Sequence, residues 1–178
     1  GHTADQVRRA ACRVREMGFS LGLQMMTGLP GDTPEGAWYT ARELAALSPA
    51  EVRIYPTVVL DGTRMGEWYR QGTYQPPGVR ESVPLCAGLL DFFEGQGIRV
   101  IRLGLHASRS LEERLLGGAY HPAFRELCEG ELLVQRLLRG LAGRVPGPVT
   151  VRLSPRDRSK FTGPRRQNLT RLAELGWQ

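Results

Sequence analysis

The residues of this chain best suited to chemistry fall in three short segments: Gln24-Met25-Met26-Thr27-Gly28-Leu29-Pro30-Gly31, Tyr55-Pro56-Thr57 and Arg102-Leu103-Gly104-Leu105-His106. In the first, two unbranched, polarizable methionines run into a glycine–proline loop. Such a surface accepts a flat ring such as adenine, and a bare backbone lets a ligand approach the main chain closely. The same residues also suit core filling followed by an ordinary turn. Arg102 and His106 offer a cation and a titratable base. An arginine at a strand end also serves in structural salt bridges, and a single histidine as a satisfied polar group. His2 and His121 have no histidine or cysteine at ligand spacing, so no metal site is expected. Cys12, Cys86 and Cys128 are odd in number and far apart. They fit neither a disulfide framework nor a cluster-ligand run, and read as idle thiols in a reducing compartment.

The elements that would position these segments follow from periodicity. Thr3-Ala4-Asp5-Gln6 is a capping box, and Val7, Ala10, Ala11, Val14 and Met17 recur at helical spacing before Gly18. A buried strand is expected over 19–26, a helix capped by Thr33 with Pro34 at its first position, and a second strand over 52–60. A short helix follows Thr63. Another runs over 81–95, with Pro84 in its first turn, and leads to a third strand over 98–105. Strands alternating with helices at this spacing predict parallel βα units, and in parallel α/β barrels the chemistry lies at the carboxy ends of the strands. Three such units do not close a barrel, and the exposed edge implies a missing amino-terminal half. Beyond His106 the pattern changes: a helix over 122–141, a Gly143-Arg144-Val145-Pro146-Gly147-Pro148 linker, a short strand over 149–153 and a basic helical segment over 159–175.

With 41% hydrophobic and 24% charged residues the chain is globular. No apolar run approaches the roughly 20 residues needed to cross a bilayer. There is no signal-like segment, and a cytoplasmic location is expected. The net charge of +6 is unevenly spread. Sixteen arginines balance sixteen carboxylates over 1–143, whereas 144–178 hold eight cations against Asp157 and Glu174. Any tendency to bind a polyanion therefore belongs to the tail, with Arg158, Lys160, Arg165 and Arg166 as candidate nucleic-acid contacts. Only Phe161 and Trp177 are available for base stacking there. A KH-like reading lacks the second glycine of its GXXG loop after Gly163, and a solvated arginine-rich face is the competing reading.

Several motifs occur in a telling order: Gly1-His2-Thr3, Gly18-Phe19, Gln24-Met25-Met26, Gly28-Leu29-Pro30-Gly31, Tyr55-Pro56-Thr57, Asp61-Gly62-Thr63 and Tyr69-Arg70-Gln71-Gly72-Thr73-Tyr74. The series resembles the second half of the radical S-adenosylmethionine barrel in the Elongator catalytic subunit and its bacterial relatives, closely over 1–106 and loosely beyond. The Gly-Leu-Pro-Gly-Asp-Thr loop is also similar to that of oxygen-independent coproporphyrinogen oxidases. The resemblance implies a partial parallel (β/α) TIM-type barrel over 1–106, a helical extension over 107–143 and a small α+β appendage over 144–178. It also implies an S-adenosylmethionine cofactor and a [4Fe–4S] cluster that together generate a 5′-deoxyadenosyl radical, with RNA, transfer RNA included, as substrate and partner. Carried onto this chain, Gln24, Met26, Gly28, Tyr55, Thr57 and Arg102 become the expected cofactor-binding residues. The CxxxCxxC cluster loop is not in this sequence, so the chain is expected to be inactive alone. No acetyltransferase domain follows in this sequence, so Elongator's own wobble-uridine reaction is not carried over as an expectation for the parent protein. The alternative is a non-catalytic nucleic-acid-binding protein that uses the basic tail.

Overall fold

A computed structural model describes residues 2–178, and Gly1 of the opening motif lies outside the described residues. The described chain divides into two compact units, 2–122 and Ala123–Gln178. The expected boundaries after 106 and 143 do not coincide with this division. The long helix after Pro122 packs its buried face with the tail helices, so it belongs to the tail's core rather than forming a separate extension.

The first unit begins with α1 (Ala4–Glu16). Its capping box forms as expected, with the Thr3 hydroxyl accepting from the Gln6 amide at 3.3 Å and the Gln6 side chain accepting from the Thr3 amide at 2.8 Å. Strand β1 (Gly22–Thr27), helix α2 (Pro34–Ala46) and strand β2 (Glu51–Pro56) follow. Next come β3 (Val58–Leu60), α3 (Arg64–Arg70), α4 (Val79–Gly95) and β4 (Arg99–Leu103). The unit closes with α5 (Arg109–Arg114) and β5 (Leu115–Gly118). Strands β1, β2 and β4 form one parallel sheet in that order, as the alternation predicts. Ala37, Ala41 and Leu44 of α2 and Cys86, Ala87, Leu89, Leu90 and Phe93 of α4 are buried where these helices cover one face of the sheet.

Three expectations need correction here. The strand over 52–60 is two strands: the Thr57 amide and hydroxyl both donate to the Thr27 carbonyl, at 2.9 and 2.7 Å, which ends the parallel ladder. Val58–Leu60 then pairs antiparallel with β5 in a second sheet. The helix expected from 81 starts at Val79, because Glu81 caps the Gly78 amide at 2.8 Å. Pro84 therefore sits in the second turn, where its missing N–H does forfeit a bond to the carbonyl four residues back.

The second unit is built from α6 (Phe124–Gly140), α7 (Arg158–Thr162) and α8 (Gln167–Glu174). Its core joins Val134, Phe161 and Leu172, with Leu137, Val151, Leu153, Leu169 and Trp177 packed around them. The close approach of α7 to α6 depends on Gly130, where a Cβ would lie 2.3 Å from the Lys160 carbonyl. The strand expected over 149–153 does not form. Its alternating Val151 and Leu153 dock on the helices, and the Val149 amide bonds the Gln178 carbonyl at 2.7 Å, so no ladder is made. The basic helical segment over 159–175 is broken into α7 and α8 by Gly163-Pro164-Arg165-Arg166, with Arg165 and Arg166 both at positive φ.

Candidate functional site

Side chains alternate across a strand, so the sheet register decides which residues share a face. One set of rows, Leu23–Val52–Val100 and Met25–Ile54–Leu103, points to the covering helices. The opposite set is open. It consists of Gly22–Glu51–Arg99, then Gln24–Arg53–Arg102, then Met26–Tyr55. Gln24, Met26 and Ile101 are exposed on this face, while Arg53, Tyr55 and Arg102 are half-buried. Four expected cofactor residues, Gln24, Met26, Tyr55 and Arg102, thus come together on one face.

Arg102 reaches that face because of a register shift between Val52 and Arg53 on β2. Val52 pairs with Val100 but Arg53 pairs with Arg102, so Ile101 is the extra residue of a bulge. Strict alternation from Val100 would turn Arg102 into the core. The bulge leaves Ile101 and Arg102 both on the open side, with Val100 and Leu103 still buried.

The other two expected cofactor residues lie just beyond the ends of β1 and β2. Thr57 is 2% exposed and its hydroxyl is committed to the Thr27 carbonyl. Gly28 adopts φ 75°, donates its amide to Asp32 at 2.8 Å and accepts from the Tyr74 hydroxyl. A Cβ there would meet the Pro77 ring at 2.9 Å. Gly28 therefore shapes the strand-end loop, and burial pushes the Tyr74 hydroxyl above its usual range. Beside this loop lies a cleft of about 450 Å³ whose lining includes Gly28, Asp32, Pro77, Glu81 and Ser82. Cys86 is fully buried under β1, and burial pushes its thiol up to about 11 despite the Thr27 hydroxyl at 3.9 Å. A buried thiol held protonated in this way is a poor nucleophile at neutral pH.

In the second unit Arg158, Arg165 and Arg166 are exposed and have no carboxylate partner among the described residues. Lys160 is different. Its ammonium lies 2.7 Å from Glu129 and 3.8 Å from Asp157, and the Glu129 bond raises its pKa. Burial pushes Glu129 up, but the hydrogen bonds from Lys160 and Arg125 prevail and its pKa is lowered. Lys160 is a tie between α6 and α7, not a free cation. The functional candidate that sequence reasoning missed is Arg53, whose only signal was a charge inside the otherwise apolar run Val52-Arg53-Ile54-Tyr55.

Residues 49–133 match the Radical_SAM C-terminal domain. The tRNA uridine(34) acetyltransferase of Dehalococcoides mccartyi is 35% identical over 79 residues, 43% of this chain and 17% of that protein. The protein of the same name from Methanocaldococcus jannaschii is 27% identical over 90 residues, 49% of this chain and 17% of that protein. Over these segments the chain is similar to Elongator-like radical S-adenosylmethionine enzymes. It spans about a sixth of these curated relatives' length, 17% of each. The solved Methanocaldococcus infernus Elp3 with an N-terminal deletion shares the fold, with a TM-score of 0.66 at 20% identity over 79% of this chain and 32% of that one. Among the described residues, no three potential ligands cluster to hold a metal, and no helix is long and apolar enough to cross a membrane.

Proposed function

We propose that residues 2–122 are part of a parallel (β/α) barrel in a radical S-adenosylmethionine enzyme that modifies RNA in the cytoplasm, with the open face of the sheet as its inner wall. The observation that carries this reading is the register, which gathers Gln24, Met26, Tyr55 and Arg102 on the face away from the helices. The sheet order supports it, because β1 and β4 each keep one edge that further parallel strands would continue.

The open face fits the organic cofactor. Met26 is 44% exposed and lies beside Tyr55 in register. Strands are about 4.8 Å apart, so the two side chains offer one polarizable and one aromatic surface at the spacing of a single ring system. The Gln24 amide brings a donor and an acceptor to the edge of that surface. The bound cofactor supplies one-electron hydrogen abstraction, and the chain's own contribution is to orient it and exclude water. The residues do not fit the iron–sulfur cluster. Cys12 is exposed, Cys86 and Cys128 are buried, and the sequence holds no CxxxCxxC. The chain alone therefore carries out no radical chemistry. In a polypeptide joining it to a cluster loop, Met26→Asp is expected to weaken S-adenosylmethionine binding about tenfold or more, a charge against the ring costing at least about 1.4 kcal/mol. The cluster's visible absorbance should not change. Equal binding by wild type and variant would remove this face from the cofactor site.

A second reading, RNA binding by the tail, is favoured by charge. Residues 2–122 hold thirteen arginines and thirteen carboxylates, whereas the second unit holds eleven cations and five carboxylates. We infer that Arg158, Arg165 and Arg166 contact phosphates there.

A further inference from the structure

Arg53 and Arg102 are direct cross-strand partners on the open face of the sheet. Both are half-buried, and neither guanidinium makes a hydrogen bond or ion pair among the described residues. Like charges directly opposite one another destabilise a sheet. This juxtaposition is not a by-product of alternation, since it exists only because the bulge at Ile101 turns Arg102 outward. The neighbouring row shows how such a charge is ordinarily balanced, with Arg99 3.3 Å from Glu51. In the Arg53 row the third member is the neutral Gln24, so two positive charges stand without a carboxylate partner on a unit whose net charge is zero.

We propose that Arg53 and Arg102 form a clamp for the phosphate of a nucleotide whose base takes the Met26–Tyr55 surface when S-adenosylmethionine does not occupy it. Two guanidiniums one strand spacing apart, about 4.8 Å, can each direct a fork of donors at a single tetrahedral oxyanion. Met26 and Tyr55 lie two residues further along their strands, about 6.6 Å away, which matches the reach from a nucleotide's phosphate to its base. Gln24, the third member of the arginine row, stands beside Arg53 and one row before Met26 on β1, where it can address the sugar or the base edge. The proposal rests on the open face being a ligand wall. The same oxyanion chemistry could be met by a carboxylate on a nucleoside, as in S-adenosylmethionine, so the ligands tested must separate the two.

The test is residue-resolved NMR on the 178-residue chain at low ionic strength, following the arginine Nε–H signals and the Met26 methyl. The titrants are uridine 5′-monophosphate, uridine and S-adenosylmethionine. The nucleotide should move the Arg53 and Arg102 signals together, and uridine should leave them in place. Arg53→Gln or Arg102→Gln should weaken the nucleotide response about tenfold, the worth of one lost charge-assisted contact. Arg99→Gln, which removes a cation already paired to Glu51, should change it less than about twofold. Unchanged backbone amide spectra in the three variants show that the fold is kept. Arginine signals that ignore the nucleotide, or that respond to S-adenosylmethionine alone, would overturn the phosphate clamp. If the Met26 methyl answers S-adenosylmethionine while the arginines stay silent, the clamp fails and the cofactor wall stands. If the arginines answer the nucleotide and Met26 answers nothing, the clamp's oxyanion site stands and the base and cofactor placement fails.

Discussion

A side chain on a pleated strand goes where its parity sends it, and Arg102 reaches the open face only because one extra residue shifts that parity. No sequence pattern marks such a shift, which is why Arg102 could be chosen from its place near a strand end but its partner Arg53 could not. Thr57 and Lys160 were legible as polar residues in suggestive motifs. Their partners, Thr27 and Glu129, lie far away in sequence, and it is those partners that make them structural. Cys86 shows how burial alone fixes a residue's chemistry. Its thiol titrates near 11 in the folded chain against 9.0 for an ordinary one. Between those values the folded state holds a proton that the unfolded state has lost, so stability should fall as pH rises from about 9 to about 11. Urea midpoints of wild type and Cys86→Ala measured across that window should converge as pH rises, because the variant lacks this contribution. Parallel curves would mean that the thiol titrates alike in both states.

At the scale of elements, α1 to α4, α6 and the three parallel strands were legible because capping boxes, apolar periodicity and glycine stops are local signals. Strand β5 was not, because Leu115-Leu116-Gly117-Gly118 has the composition of a loop. Its glycines make sense only against their neighbours. Gly118 adopts φ 101°, and a Cβ there would lie 2.4 Å from the Thr57 carbonyl oxygen. The β3–β5 pairing thus fixes the point where the chain leaves the parallel sheet, just beyond Tyr55. Gly118→Ala should lower stability by about 2 kcal/mol or more, combining the strain of a left-handed residue, about 1–3 kcal/mol, with the clash. Gly95→Ala, in open space at the end of α4, should instead be neutral or raise stability by up to about 1 kcal/mol. Urea denaturation of the two variants decides the matter: equal effects would mean that the β3–β5 pairing places no constraint on the chain.

At the scale of the whole molecule the organising fact is segregated charge. All of the +6 lies in the second unit, where Lys160, Arg125 and Arg171 are tied to Glu129 and Glu131. The surplus is therefore carried by exposed arginines from 144 to 166: Arg144, Arg152, Arg156, Arg158, Arg165 and Arg166. The charge imbalance was fully legible in the sequence. Which cations are free was not, because neutralisation depends on how α6 meets α7 and α8. Arg165 and Arg166 are the sharpest members of the set. Both sit at positive φ in the turn after Gly163, a conformation that residues with side chains adopt at a cost. If the tail meets RNA through phosphates, binding of transfer RNA should weaken steeply with salt and with little regard to sequence. Arg165→Ala with Arg166→Ala should then reduce the slope of log affinity against log salt by about two, one for each lost phosphate contact. Lys160→Ala should leave that slope nearly unchanged, because its ammonium is already spent on Glu129. The measurement is a fluorescence titration of the 178-residue chain at several salt concentrations. An unaltered slope in the double variant, or a larger change from Lys160→Ala, would mean that the arginines only solvate the surface and that the polyanion contact lies elsewhere.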